Sequence, residues 1–257
     1  MSNGVDRRDW ELAALSSDGF AALLASSRPF VVLVPVGSVE PHGPHLPLGT
    51  DALISQGACA GAVAMLDAGG VTGRVTAPVP FGVTDCAAGF AGAVSVPAAA
   101  LAAYLRAVVD GLFAAGIAHV CLVNNHLEPA HDAAVRAAIA GLPPGRASVA
   151  CPLAPRWART LSDEFKSGAC HAGRYETAIV MAESPALIDE GLRRGLPAVP
   201  ISLSDQLRAG VTTFAAMGMD RAYAGAPAEA TAAEGQELLE RLAVMVTTEV
   251  LDALRKA

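Results

Sequence analysis

Four short runs rich in β-branched residues alternate with longer stretches rich in alanine and leucine, and this alternation restricts the fold more than any other feature. FVVLVPVG (30–37), RVTAPVPFG (74–82), HVCLVNN (119–125) and ASVACPL (147–153) are continuous apolar runs, the pattern of strands buried on both faces of a parallel sheet. The prolines of the second run place it at an edge or in an irregular position. Residues 51–66, 97–115, 127–140, 175–183 and 228–254 carry Ala and Leu at helical spacing, and Pro97 and Pro129 suit first helical turns. Strands and helices of these lengths in alternation predict βαβ units, hence an α/β fold: a three-layer αβα sandwich with a mainly parallel sheet. A single domain over residues 1–257 is expected, because α/β domains reach about 250 residues.

Composition removes several functional classes. With 53% hydrophobic and 17% charged residues, the chain has ample material for a core. Its net charge of -7 and the lack of any Lys/Arg run argue against a nucleic-acid or anionic-membrane partner. No apolar run approaches the roughly 20 residues that span a bilayer, and MSNGVDRRDWELAAL lacks a signal peptide's apolar centre. A cytoplasmic location is therefore expected. The 5 cysteines, Cys59, Cys86, Cys121, Cys151 and Cys170, show no CxxC pairing, so neither a disulfide framework nor a zinc knuckle is indicated.

The candidate chemistry is concentrated where strands end, which is where ligands bind in parallel α/β sheets. The first run continues as VPVGSVEPHGPHLPLGTD. Glu40 and His42 are two apart, so in an extended segment they project to the same side. Asp51 falls where a helix begins and has a plain alternative role as an N-cap. The third run continues as VNNHLEPAHD, which repeats the spacing with His126 and Glu128 at what should be the same end of the sheet. A third segment, ACHAGRYETAIVM, offers His171 and then Glu176 at a helix start, where a carboxylate also simply suits the helix dipole. Should Glu40, Asp51 and Glu128 converge with His42 and His126, three carboxylates could not all stay ionised without a cation. Two divalent ions against three negative charges leave one positive charge, suited to holding a hydroxide. Carboxylate and imidazole donors without thiolate favour Zn, Mn or Fe(II).

At these residues the chain resembles the creatininase (creatinine amidohydrolase) family, whose N-terminal signature reads closely to PVGSVEPHGPHLPLGTD. The likeness continues through VNNHLEP, HAGRYETA and GAPAEATAAEG in the same order. It implies a creatininase-like αβα fold and a binuclear metal centre. One ion would be held by Glu40 and His126 and the other by His42 and Glu128, with Asp51 bridging. It further implies that a metal-bridging hydroxide attacks a carbonyl carbon while His171 shuttles the proton to the leaving nitrogen. The metal set is then Glu40, His42, Asp51, His126 and Glu128, and the catalytic candidates are His171, Glu128 and Glu176. A small-molecule or short-peptide substrate and a homo-oligomer, with a hexamer among the family's forms, also follow.

This sequence departs from the creatinine-cleaving members at Leu127, where they carry an aromatic, and at Cys170, where they carry Glu. Those members wall their pocket with tryptophans, whereas the tryptophans here are Trp10, near the N-terminus, and Trp157. FAGAVSV and HAGRYETA look more like the peptide-cleaving branch, while NNHLEP departs from that branch as well. The expected activity is cleavage of an amide, lactam or short-peptide C–N bond. The alternatives are ring opening of a carbohydrate-derived cyclic ketone by the same metals, or a non-catalytic small-molecule-binding protein on the same fold. Secondary candidates are His45, as an orienting partner of a ligand or a loop stabiliser; Asp85 and Cys86, on a pocket loop or a plain turn; and Arg174, as a carboxylate partner or an exposed residue at a helix start. The glycine-rich stretch GVTDCAAGFAGAVSV and residues 192–225 are the expected substrate-facing loops.

Overall fold

The computed structural model describes residues 10–256. The first nine residues, part of the stretch read above for a signal peptide, lie outside them. The four apolar runs form the strands β1 (Phe30–Val36), β2 (Thr72–Val75), β3 (His119–Asn124) and β4 (Ala147–Ala150). All pairs are parallel, in the order β2-β1-β3-β4. β2 is an edge strand, as its prolines suggested. It starts two residues earlier than the pattern indicated and its continuous ladder ends at Val75; beyond that, Val79, between Pro78 and Pro80, bridges back to Val36 of β1.

Ten helices surround the sheet among the described residues: α1 (Ser17–Leu24), α2 (Thr50–Ala68), α3 (Ala98–Ala114), α4 (Pro129–Ala138), α5 (Pro155–Ala158), α6 (Asp163–Ser167), α7 (Arg174–Glu183), α8 (Glu190–Arg193), α9 (Leu203–Arg208) and α10 (Ala232–Leu254). Strand alternation divides the core. Val31, Leu33, Cys121 and Val123 pack on one face with α2, α7 and α10. Phe30, Val32, Val34, Val36, Val120 and Leu122 pack on the other with α3 and α4. Period-two projection from a doubly buried strand thus gives two apolar cores and three layers.

The topology also fixes where a ligand can sit. β1 leads into α2 on one face, whereas its neighbour β3 leads into α4 on the opposite face. Chain paths that part in this way open a crevice beyond the carboxyl ends of the two strands. Register places Val36 beside Asn124, so the segments starting at Gly37 and Asn125 leave the sheet side by side at that crevice.

α10 crosses α7 at Gly235, where an added Cβ would lie 1.8 Å from the Ala178 carbonyl oxygen. Gly235→Ala gains about 1 kcal/mol of helix propensity but forces two packed backbones apart, a change that typically costs 1–3 kcal/mol and sometimes more. The melting temperature is expected to fall, and an unchanged value would refute this close crossing.

Candidate active site

The loop from β1 and the first turn of α2 bring Glu40, His42 and Asp51 together, all buried. Asp51 does not cap its own helix. It accepts a hydrogen bond from the Ser38 backbone N–H at 3.2 Å and turns its two oxygens to two different imidazoles. Oδ1 lies 3.2 Å from His42 Nε2, and Oδ2 lies 3.1 Å from His126 Nδ1. Glu40 Oε1 is 3.3 Å from His126 Nδ1 and 3.6 Å from His171 Nδ1. From the start of α7, Glu176 Oε2 reaches to 3.6 Å from His42 Nε2. The same oxygen accepts the Ala172 N–H at 2.6 Å, aimed there by a left-handed backbone, φ +50°, rare for a residue with a Cβ.

Each of the three histidines commits one ring nitrogen to a backbone carbonyl. His42 Nδ1–H donates to Glu40 O at 3.1 Å, His126 Nε2–H to Val83 O at 2.7 Å, and His171 Nε2–H to Pro41 O at 2.9 Å. A carbonyl only accepts, so these bonds fix the tautomers. The second nitrogen of each ring is left facing carboxylate oxygens. A neutral imidazole lone pair aimed at buried carboxylates is unfavourable unless a cation stands between them, either a proton or a metal ion. Metal-free, the protons take that place. Burial opposes charge on His42, yet Asp51, Glu176 and Glu40 raise it to about 10. His126 is likewise raised well above its ordinary value against burial, by Glu40 and Asp51.

The donor geometry fits divalent ions. Three groups have ligand atoms within 4.8 Å of one another: Glu40, Asp51 and His126; His42, Asp51 and Glu176; and Glu40, His42 and His171. Asp51 belongs to the first two. Glu128 belongs to none of these groups. Its oxygens accept the backbone N–H groups of Asp85 and Cys86 at 3.2 and 3.1 Å. Glu176 faces His42 where the resemblance put Glu128, and the charge count is the same: three carboxylates against two divalent ions.

Metal-free protein should show this in its stability. His42 holds its proton in the folded chain up to about pH 10, whereas its ordinary value is 6.5. The stability this adds is complete below pH 6.5 and gone above 10, so the melting temperature of chelated protein is expected to fall across that interval. On the acid side the same ion pairs are lost as Glu40, lowered to about 2 by His126 despite burial, takes up its proton. Added zinc should restore most stability at the alkaline end, where protons no longer fill the site. A flat alkaline profile for chelated protein would contradict this geometry.

Away from the cluster, the buried His119 starts β3 and is satisfied by Gly145 O and Ser148 Oγ. Arg174 pairs with Glu234 at 2.6 Å and Glu229 at 3.7 Å, which assigns it to the protein surface. Trp157 donates to Glu249 on α10, and Trp10 is buried in the core. Cys86 and Cys170 line the site, with burial first and nearby carboxylates second raising both thiols, Cys170 to about 12.

Two contributors had no sequence signal. Thr84 donates its hydroxyl to Glu40. Glu164 accepts the Tyr175 N–H at 2.8 Å and the Ala226 N–H at 2.7 Å, which ties the start of α7 to a distant loop.

Above the polar floor lies a cavity of about 460 Å³ whose walls include Leu127, Leu153, Leu203, Leu207, Phe214 and Met217. The two loops expected to face substrate supply four of these residues, together with Cys86.

A buried carboxylate–imidazole cluster at the crevice of a parallel α/β sheet has the groups of a hydrolytic site, and the family match and relatives that follow make the chain a hydrolase acting on C–N bonds. Residues 13–250 match the family described as creatininase, creatinine amidohydrolase, and the chain belongs to that family. The mycofactocin precursor peptide peptidase of Mycolicibacterium smegmatis is 34% identical over 217 residues, covering 82% of this chain and 81% of that protein. The enzyme of the same name from Mycobacterium tuberculosis is 33% identical over 247 residues, covering 93% and 90%. A crystal structure of creatinine amidohydrolase superposes with a TM-score of 0.73 at 18% identity, covering 96% of this chain and 99% of that one. A further creatininase structure, designated Mn, gives 0.71 at 19% identity, covering 95% and 98%. At such identities these structures establish the common fold. Among the described residues no helix is long and apolar enough to cross a membrane.

Proposed function

We propose that this chain is a divalent-metal-dependent amidohydrolase that cleaves a C–N bond in a short peptide, acting as a single domain over residues 1–257. The observation that carries the reading is the orientation of His42 and His126, each with one N–H spent on a carbonyl and the other nitrogen aimed at the shared carboxylate of Asp51. Glu40, Asp51 and His126 form one ligand group, and His42, Asp51 and Glu176 form the second. Divalent ions bound there would polarise an amide carbonyl and acidify water.

The protein's own groups do the rest. His171 is clamped through Nε2, so Nδ1 is the atom that accepts a proton and returns it to the leaving amine. Burial first, and the positive charge of His42 second, hold this imidazole down at about 4 in the metal-free protein; once His42 gives up its proton, the second of these influences is gone. Glu128 has both oxygens anchored by backbone amides, leaving lone pairs to accept an N–H of the substrate. The apolar walls suit a peptide with hydrophobic side chains beside the scissile bond, and their burial supplies binding without competing for the polar floor. The peptide peptidases that share a third of this sequence support the same substrate class.

The test is a panel of short apolar peptides, cyclic amides and cyclic ketones, offered to chelated enzyme and to enzyme reloaded with Zn or Mn. Metal-dependent peptide hydrolysis is expected. Turnover of cyclic ketones alone would replace this reading with ring opening, and metal uptake with no turnover on any of the panel would favour a binding protein.

A further inference from the structure

Two buried polar side chains outside the ligand groups meet beside them. His45 Nε2 and Thr177 Oγ1 share a hydrogen bond of 2.8 Å between residues 132 positions apart. Both side chains are inaccessible to solvent. Thr177 directly follows Glu176 on α7, and His45 lies three residues beyond His42 on the loop from β1. The bond therefore joins the two segments whose ligand atoms face each other across 3.6 Å.

The loop is shaped to present this ring. Gly43 has φ +63°, and a Cβ there would lie 2.8 Å from His45 Nδ1, so the chain folds back against the imidazole. Backbone bonds hold the turn from both sides: Gly43 N–H donates to Ala222 O at 2.8 Å, and Asp189 N–H donates to His45 O at 3.0 Å. On the other flank, His171 donates to Pro41 O at 2.9 Å. Successive helix residues lie about 100° apart around the axis, so a roll of α7 that releases Thr177 also swings the Glu176 carboxylate away from His42.

We propose that His45 and Thr177 are positioning residues for the second ligand group, setting the roll of α7 and with it the reach of Glu176 toward His42. This rests on the assignment of His42, Asp51 and Glu176 as ligands. Partners of this kind, once removed, typically cost about 10–100-fold in metal affinity. The effect should fall on one ion, because His45 and Thr177 adjoin His42 and Glu176, whereas Glu40 is held by the Thr84 hydroxyl and His126 by Val83 O.

The experiment is a calorimetric zinc titration of the chelated full chain. The wild type is expected to bind two ions. Thr177→Val, close in shape but without the hydroxyl, should weaken one of them by about 10–100-fold and leave the other unchanged. Thr177→Ser should recover most of the loss. The weakened site should be the one that Glu176→Gln removes. His45→Phe should reproduce the single-site loss, and the two changes combined should add nothing further. Equal weakening of both ions, or no weakening by either variant, overturns the inference while the ligand assignment stands. Fewer than two ions on the wild type overturns the ligand assignment and this inference with it.

Discussion

Replacing His171 with glutamine is expected to lower kcat for peptide hydrolysis by about 10²–10⁴-fold, the range for a positioned general acid–base group, with bound metal unchanged. The ring packs against His42 and Phe214 in tilted contacts, with centroids 4.5 and 4.4 Å away, and its Nε2–H is fixed on Pro41 O. Only Nδ1 remains for chemistry. Glutamine can still donate to that carbonyl, but it has no nitrogen that titrates in water. The loss should depend on the leaving group: an alkyl amine must be protonated to depart, whereas an anilide departs more readily. The drop should therefore be larger for a peptide bond than for the corresponding p-nitroanilide, with KM little affected. Because His171 also stands near Glu40 and His42, metal analysis of the variant is decisive. Loss of an ion would make His171 a ligand, and equal losses on both substrates would remove it from proton transfer.

The fold was legible because the strands are buried on both faces. A run such as FVVLVPV must have apolar layers on two sides, and the helical periods between the runs supply those layers. What limited the reading was local. Pro78 and Pro80 marked an irregular run, yet the missing donors could not say that the continuous ladder would end at Val75 and pairing return only at Val79. The short helices α5, α6, α8 and α9 are too brief for a periodic signal, although α9 presents Leu203 and Leu207 to the cavity.

The site was legible in its residue types and less so in its pairing. The two-residue spacing in Glu40/His42 and His126/Glu128 is symmetric in sequence, but the segments differ. Glu128 precedes Pro129 at the start of α4 and is drawn to the amides of Asp85 and Cys86. Glu176 is carried to His42 by α7, a helix whose placement depends on long-range packing against α2 and α10. Thr84 and Glu164 act through contacts 44 and 62 residues away in sequence, and neither spacing nor composition marks them.

Asp51→Asn is expected to abolish tight binding at both ligand groups, the largest effect of any single ligand change. Asp51 presents one oxygen to His42 and the other to His126, and it also accepts the Ser38 amide. Asparagine keeps the shape but replaces one oxygen with a donor, which must face either the His42 nitrogen or both the His126 nitrogen and the Ser38 N–H, and the charge is lost in either orientation. Since loss of an outer partner costs roughly 10–100-fold, loss of a ligand common to both groups should exceed about 100-fold at each, leaving no hydrolysis at ordinary zinc concentrations. Glu176→Gln, by contrast, should affect the His42 group alone. Metal-free protein offers an independent readout. Asp51 is the largest electrostatic influence raising His42, so the fall in melting temperature between pH 6.5 and 10 should become shallower in Asp51→Asn. Retention of two tightly bound ions by this variant, or an unaltered alkaline profile, would mean that the carboxylate does not join the two imidazoles.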